Sequence, residues 1–303
     1  MKVVFLDAAT LPRALSFSNP NIDYVAYASS EGDVLPKIKD AAVVITNKVK
    51  LGADVLRQAE KLRLIAVAAA GTDNVDLETA AALGIKVANV PDYGSDSVAE
   101  HVIATLFALR RNLPVYSAAA VDGRWTASPH FCWTGPRIKD VGGTIFGVLG
   151  RGRIGEAAAR LARGLGMNVV FAQTPGIPLR DDELPLDQLL PQVDVLTLHV
   201  PLTPATRCIV GREALKAMKK DAVIVNTGRG ALIEPLALVE ALRNGEIGGA
   251  AIDVLDTEPP RLDHPLLGRD IPNLLVTPHV AWASEHAQAR LAATLERLVE
   301  QQL

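Results

Sequence analysis

The stretch 142–155, GGTIFGVLGRGRIG, organises the reading of the whole chain. Residues 144–149 are a nearly continuous apolar run, with the length and character of a parallel strand covered on both faces. Gly150, Gly152 and Gly155 follow in G-x-G-x-x-G spacing, and EAAARLARGLG continues as a helix. Strand, glycine turn and helix in that order are the context a dinucleotide site requires. The first glycine makes the tight turn, the second lets backbone approach a pyrophosphate, and the third lets helix pack on strand. The helix N-terminus then faces the phosphates. Arg151, Arg153 and Ile154 fill the positions between the glycines and join them as cofactor-binding candidates. With 23 glycines in the chain the spacing alone is a weak signal; the flanking elements carry it.

At 303 residues the chain can bury two cores. Charged residues make up 21% and the net charge is -3, so there is no basic excess to attract nucleic acid or an anionic membrane. Cys132 and Cys208 form neither a metal-type pair nor a disulfide framework, which points to the reducing cytosol. The N-terminal MKVVFLDAAT reaches Asp7 too soon for a signal peptide, and no apolar run approaches membrane-spanning length.

Strands are predicted at 3–6, 24–27, 43–45, 64–68 and 85–90, with helices at 31–39, 52–60 and 76–83 between them. A longer helix is predicted from 95 to 111. After the glycine turn, strands at 168–172, 193–198, 222–226, 249–254 and 274–277 alternate with helices at 152–165, 185–190, 211–218 and 233–243, and a helix at 283–301 ends the chain. This α/β alternation predicts two doubly wound parallel sheets. Segment 112–141, with Trp125, Pro129, Phe131, Trp133 and Pro136, is poorly periodic. Long irregular segments in compact folds are usually functional or contact another chain.

Ligands of such folds lie beyond the carboxyl ends of strands. Three polar clusters fall there. In Asn226-Thr227-Gly228-Arg229-Gly230, two glycines flank an arginine suited to a bidentate grip on a carboxylate. Asp253 and Glu258 lie in DVLDTEPP, where Pro259 biases Glu258 toward extended backbone. His279 lies in TPHVAW. Taken singly, each also reads as a surface ion pair, an acidic turn or a structural histidine.

Taken together these residues resemble the D-isomer-specific 2-hydroxyacid dehydrogenase family. The resemblance spans nearly the whole chain: AAAGTDNVDL at 68–77, DSVAEH at 96–101, GRGRIG at 150–155, HVPLTPATR at 199–207, NTGRGALI at 226–233, AIDVLDTEPP at 251–260 and TPHVAWAS at 277–284. It implies that residues 1–97 plus 282–303 form a flavodoxin-like substrate domain and 98–281 an inserted Rossmann-like coenzyme domain, with a cleft that closes on substrate. It also implies roles. His279 is the acid/base, Glu258 holds it and raises its pKa by charge attraction, and Arg229 binds the substrate's carboxylate and carbonyl oxygen. Backbone N–H groups of Ala70, Gly71 and Thr72 complete the clamp. Asp253 meets the nicotinamide carboxamide, Thr227 and Gly228 line the nicotinamide pocket, and His199, Val200, Pro201 and Thr206 wall the adenosine side.

The pattern departs from the family at Gln173, which stands where an aspartate usually meets the ribose hydroxyls. Arg151 and Arg180 are candidates for a 2′-phosphate and read equally as solvated charges, so the coenzyme is NAD or NADP. ITNKV at 45–49, SPHFCW at 128–133 and Trp282 most resemble the glycerate dehydrogenase, or hydroxypyruvate reductase, branch. That implies hydroxypyruvate/D-glycerate as substrates, with glyoxylate/glycolate besides; Lys48 is a candidate for the substrate hydroxyl and reads equally as a solvated lysine. The alternatives are another 2-hydroxy acid, or a coenzyme-sensing corepressor-like protein on the same fold. As in the family, 112–141 is expected to form a homodimer interface, with Trp125 or Trp133 reaching a neighbour's site or packing in its own chain.

Overall fold

Runs of valine, isoleucine and leucine become the central strands of two parallel sheets in the computed structural model, which describes residues 1–30 and 32–302. The chain divides into two units, Met1–Gly94 with Ala283–Leu303, and Ser95–Trp282.

The first unit runs β1 (Lys2–Phe5), β2 (Asp23–Ala26), α1 (Leu35–Ile38), β3 (Val43–Thr46), α2 (Ala53–Gln58), β4 (Leu64–Val67), α3 (Leu77–Ala82) and β5 (Lys86–Asn89). All strands are parallel, in the order β2-β1-β3-β4-β5. Its core includes Val4, Leu6, Ile38, Val44, Leu51, Leu56, Ile65 and Val67. Asp7, just past β1, is buried, and its carboxylate accepts N–H bonds from Asn47 (2.8 Å), Lys48 (2.6 Å) and Val49 (3.3 Å), tying the loop after β3 to the end of β1. The predicted helix 31–39 is shorter. Glu31 lies outside the described residues, Gly32 has φ +75°, and Pro36 is tolerated only in a first turn, so the helix is confined to Leu35–Ile38.

The second unit contains α4 (Ser95–Arg110), α5 (Leu113–Val121), β6 (Ile145–Leu149), α6 (Arg153–Gly164), β7 (Asn168–Ala172), β8 (Glu183–Leu184), α7 (Leu186–Leu189), β9 (Val195–Leu198), α8 (Arg212–Ala217), β10 (Val223–Asn226), α9 (Pro235–Arg243), β11 (Gly249–Ile252) and β12 (Leu274–Val276). Its strands are all parallel, in the order β12-β11-β10-β9-β6-β7-β8. β6 therefore sits at the point where the winding direction reverses, where a doubly wound sheet opens a ligand crevice. Two apolar layers cover the sheet. One is built around Leu149, Leu196, Ile224 and Leu238, the other around Phe146, Val148, Val195 and the alanines of α6.

Segment 112–141 is more regular than expected, because it contains α5. Asn112 turns the chain at φ +52°, Pro114 sits in the first turn, and the alanine run favours helix. The helix is apolar all round, so no 3.6-residue period is visible in its sequence. Beyond it, Trp125 donates its indole N–H to the Phe131 carbonyl (3.0 Å) and Ser128 its hydroxyl to the Cys132 carbonyl (2.7 Å). Trp133 stacks edge-on against Tyr116 within its own chain. β8 is only two residues long, too short to show a pattern, and pairs with β7.

The final helix, α10 (Glu285–Glu300), belongs to the first unit. Its N-cap Ser284 hydroxyl accepts the Ala287 N–H (3.2 Å), and Glu296 and Glu300 accept the N–H groups of Ser16 and Ser18 (2.9 Å each). Among the described residues no helix is long and apolar enough to cross a membrane.

Candidate active site

The three glycines of the β6–α6 turn have separate physical duties. Gly150 has φ +105°, and a Cβ there would lie 2.5 Å from the His199 carbonyl carbon and 2.7 Å from the Val200 nitrogen. Only glycine lets this turn lie against the backbone that leaves β9. A Cβ on Gly155 would stand 2.1 Å from the Gly150 carbonyl oxygen, whereas at Gly152 nothing among the described residues lies within 4 Å. Gly152 is the N-cap of α6 and supplies no side-chain acceptor, so the first-turn N–H groups of a twelve-residue helix face an open approach. The Thr227 hydroxyl, just past β10, is buried with no hydrogen-bond partner among the described residues. An open helix N-terminus and an orphaned hydroxyl are what a bound dinucleotide would satisfy.

His199, Val200, Pro201 and Thr206 lie on the segment after β9. Thr206 donates its hydroxyl to the Pro201 carbonyl (2.7 Å) and accepts the Thr203 N–H (2.8 Å), so it closes its own loop. The His199 imidazole lies 2.9 Å from the Thr197 hydroxyl, and burial pushes its pKa down to about 4, leaving it neutral near pH 7. Gln173, just past β7, donates its side-chain amide to the Ile177 carbonyl (3.0 Å). Arg151 and Arg180 are not simply solvated. Arg151 is paired with Glu156 and Asp182, and Arg180 lies 3.8 Å from Glu183.

Arg229, Glu258 and His279 follow β10, β11 and β12, three adjoining parallel strands. The fully buried Asn226 accepts the Gly228 N–H (3.0 Å) and donates to the Arg229 carbonyl (2.9 Å), which pins the loop carrying Arg229. The Arg229 guanidinium donates to the Gly228 carbonyl (2.9 Å). A Cβ on Gly230 would stand 2.0 Å from the Leu255 carbonyl carbon, so the Arg229 and Glu258 loops touch backbone to backbone. Glu258 accepts the Leu255 N–H through Oε1 (2.8 Å) and meets His279 Nδ1 through Oε2 (2.6 Å). That contact makes Nδ1 the donor and turns Nε2 outward as the atom that handles a substrate proton.

His279 itself has φ +55°, an uncommon conformation for a side-chain-bearing residue and a feature of functional sites. The surroundings hold it there. Its N–H donates to the Asp253 carbonyl (2.8 Å), and its carbonyl accepts the Trp282 indole N–H (3.0 Å). The buried Asp253 carboxylate accepts the Thr277 hydroxyl (2.6 Å) and the N–H groups of Val280 (3.0 Å) and Ala281 (2.9 Å). His101 Nε2, on α4, lies 3.1 Å from the Thr277 hydroxyl oxygen and 3.8 Å from Asp253. Asn226, Thr277 and His101 carry no role in the sequence reading. The signal for Asn226 was a polar residue ending an apolar strand; nothing local marks the other two.

Lys48, Ala70, Gly71 and Thr72 belong to the other unit. Lys48 follows β3 in the loop held by Asp7, and 70–72 form the turn between β4 and α3. Among the described residues no cluster of histidine, cysteine, aspartate or glutamate could hold a metal ion.

Comparison with known proteins gives this geometry a family. Residues 103–281 match the NAD binding domain of the D-isomer specific 2-hydroxyacid dehydrogenases. The chain is 43% identical to a glycerate dehydrogenase of Methylorubrum extorquens, over 99% of this chain and 95% of that one. It is 41% identical to a putative 2-hydroxyacid dehydrogenase of Haemophilus influenzae, over 99% and 98%. A crystal structure of a Thermus thermophilus protein, 34% identical, superposes with a TM-score of 0.83 over 98% of this chain and 94% of that one. The chain belongs to the D-isomer-specific 2-hydroxyacid dehydrogenase family and is an oxidoreductase that uses a nicotinamide coenzyme.

Proposed function

We propose that the protein interconverts hydroxypyruvate and D-glycerate, with glyoxylate and glycolate as a second pair. The observation that carries the reading is the 2.6 Å His279–Glu258 contact on a loop whose neighbour presents Arg229. The substrate class is supported by the glycerate dehydrogenase at 43% identity.

When bound, the reduced nicotinamide supplies hydride to the carbonyl carbon. His279 Nε2 gives its proton to the carbonyl oxygen, so the 2-oxo acid gains one hydride and one proton and becomes the 2-hydroxy acid. Glu258 fixes the ring through Nδ1 and balances the charge of the imidazolium before it donates. Arg229 holds the carboxylate and polarises the carbonyl oxygen, and the N–H groups of Ala70, Gly71 and Thr72 take the other carboxylate oxygen. Lys48 meets the hydroxyl of hydroxypyruvate. The α6 N-terminus and Gly150–Gly155 would hold the pyrophosphate, and Thr227 and Gly228 would line the nicotinamide. Asp253 would meet the nicotinamide carboxamide.

We also propose a homodimer built on α5 and the segment after it. Phe131 (92% exposed) and Trp125 (52%) stand on a hydrogen-bonded loop, and such large apolar surface marks a contact. Trp125 is the residue offered to a neighbour. Two unpaired cysteines support a cytosolic location.

The test is coenzyme oxidation over hydroxypyruvate, glyoxylate, pyruvate, phenylpyruvate and phosphohydroxypyruvate. Preference for a phosphorylated or aromatic acid refutes the substrate assignment. No turnover on any acid, with tight coenzyme binding and coenzyme-dependent assembly, points instead to the corepressor-like alternative. His279→Ala should lower kcat about 10²–10⁴-fold, with coenzyme binding retained.

A further inference from the structure

Coenzyme choice in a sheet of this order depends on what stands where β7 delivers the chain to the adenosine ribose. A carboxylate there accepts from the ribose hydroxyls and repels a 2′-phosphate; here the position holds the neutral Gln173. Arg151, inside the glycine turn, reaches this end of β7. Its guanidinium carbon lies 4.5 Å from the centre of the Phe171 ring, two residues before Gln173 on the same chain segment. An arginine so placed is the usual receiver of a 2′-phosphate.

In this chain the arginine is already taken. Arg151 Nε donates to Glu156 Oε1 (2.7 Å), and Nη1 donates to both oxygens of Asp182 (2.8 and 2.7 Å). Glu156 comes from the first turn of α6, and Asp182 from the residue before β8, the short strand that pairs with β7. Three elements thus converge on one guanidinium, with two carboxylates against one cation. The pairing holds Asp182 below the ordinary carboxylate range and Arg151 above its own. Arg163 reaches the same ring from the far end of α6, but at 5.9 Å.

We propose that Asp182, together with Glu156, makes this enzyme select NAD(H) over NADP(H). The two carboxylates return to the ribose end of the site the negative charge that Gln173 lacks, and they occupy the Nε and Nη1 donors of Arg151. Such a phosphate would bring nearly two further negative charges beside these two carboxylates, with Arg180 the other cation acting on Asp182. The discriminating carboxylate has moved off the strand end onto the neighbouring loop. The inference rests on the nicotinamide coenzyme of the family and goes beyond it by assigning the preference to residues outside the strand end.

Calorimetric titration without substrate tests this, using NAD+, NADP+, ADP and adenosine 2′,5′-bisphosphate as ligands. The wild type should bind NAD+ at least about tenfold tighter than NADP+, and ADP tighter than the 2′,5′-bisphosphate. Asp182→Asn should cut the NADP+/NAD+ ratio of Kd values about tenfold, with the gain shrinking as salt rises. Adding Glu156→Gln should cut it further, and Asp182→Glu should keep the wild-type ratio. A wild type that prefers NADP+, or a folded Asp182→Asn variant with an unchanged ratio, overturns the proposal. Failure to bind either coenzyme would overturn the dinucleotide site as well, so the two failures are distinguishable.

Discussion

Gly230→Ala is the sharpest test of how the site is held together. The added Cβ would lie 2.0 Å from the Leu255 carbonyl carbon and 2.3 Å from both the Leu255 oxygen and the Asp256 nitrogen. Carbon atoms pack at about 3.5–4.0 Å, so the two backbones must part by roughly 1.5 Å. Neither side is a flexible side chain that can swing away. Arg229 is one residue from the insertion, and Leu255 donates the N–H that fixes Glu258, so the displacement falls on both sides of the active site. Overpacking of this kind costs about 1–3 kcal/mol of stability, and a misplacement near 1 Å costs about 10²-fold in rate. The expected result is a melting temperature several degrees lower and kcat/KM for hydroxypyruvate down about 10²-fold. Gly164→Ala is the control. Nothing lies within 4 Å of its Cβ and its φ is ordinary, so it should be neutral or slightly stabilising. A Gly230→Ala enzyme with wild-type kcat/KM and an unchanged melting temperature would refute the backbone-contact reasoning.

Four further predictions concern polar groups of the core and the site. His199 is held neutral, with its pKa at about 4 against an ordinary 6.5. As pH falls below 6.5 the unfolded chain takes up a proton that the folded one refuses until about 4. Stability present above 6.5 is therefore lost between those values, at a limiting slope of about 1.4 kcal/mol per pH unit and up to about 3 kcal/mol in all. Urea unfolding between pH 7 and pH 4.5 should show this, and His199→Gln should flatten the slope; equal slopes in both proteins would count against it. Asp253→Asn places an amide donor among the N–H and O–H donors that hold the His279 turn, so kcat should fall by at least about 10²-fold with a smaller change in KM. His101→Gln, which keeps a donor toward Thr277, should cost less than about tenfold. Asp7→Ala leaves the N–H groups of Asn47, Lys48 and Val49 without their acceptor, which should cost about 2–3 kcal/mol. Hydrogen exchange at 47–49 should speed up, and unchanged protection there would refute the anchoring role of Asp7.

Much of this protein is legible in its sequence because the determinants are local. Short apolar runs bounded by turn residues read as strands covered on both faces, and a side chain at 150 or 155 would collide with neighbouring backbone. Arg229, Glu258 and His279 could be singled out because strand ends in an open sheet are where ligands bind. Other features left no local trace. The helix α5 is apolar on every side, so its sequence carries no period, and β8 is two residues long. Tertiary structure alone decided that Asp253 holds the His279 turn, with Thr277 and His101 behind it, and that Arg151 is bound to Asp182. Residues 151 and 182 meet only after β8 has paired with β7, and 101, 253 and 277 only after α4 has packed on the finished sheet. Hydrophobic pattern and backbone freedom are properties of a segment, whereas a hydrogen bond between distant residues belongs to the fold.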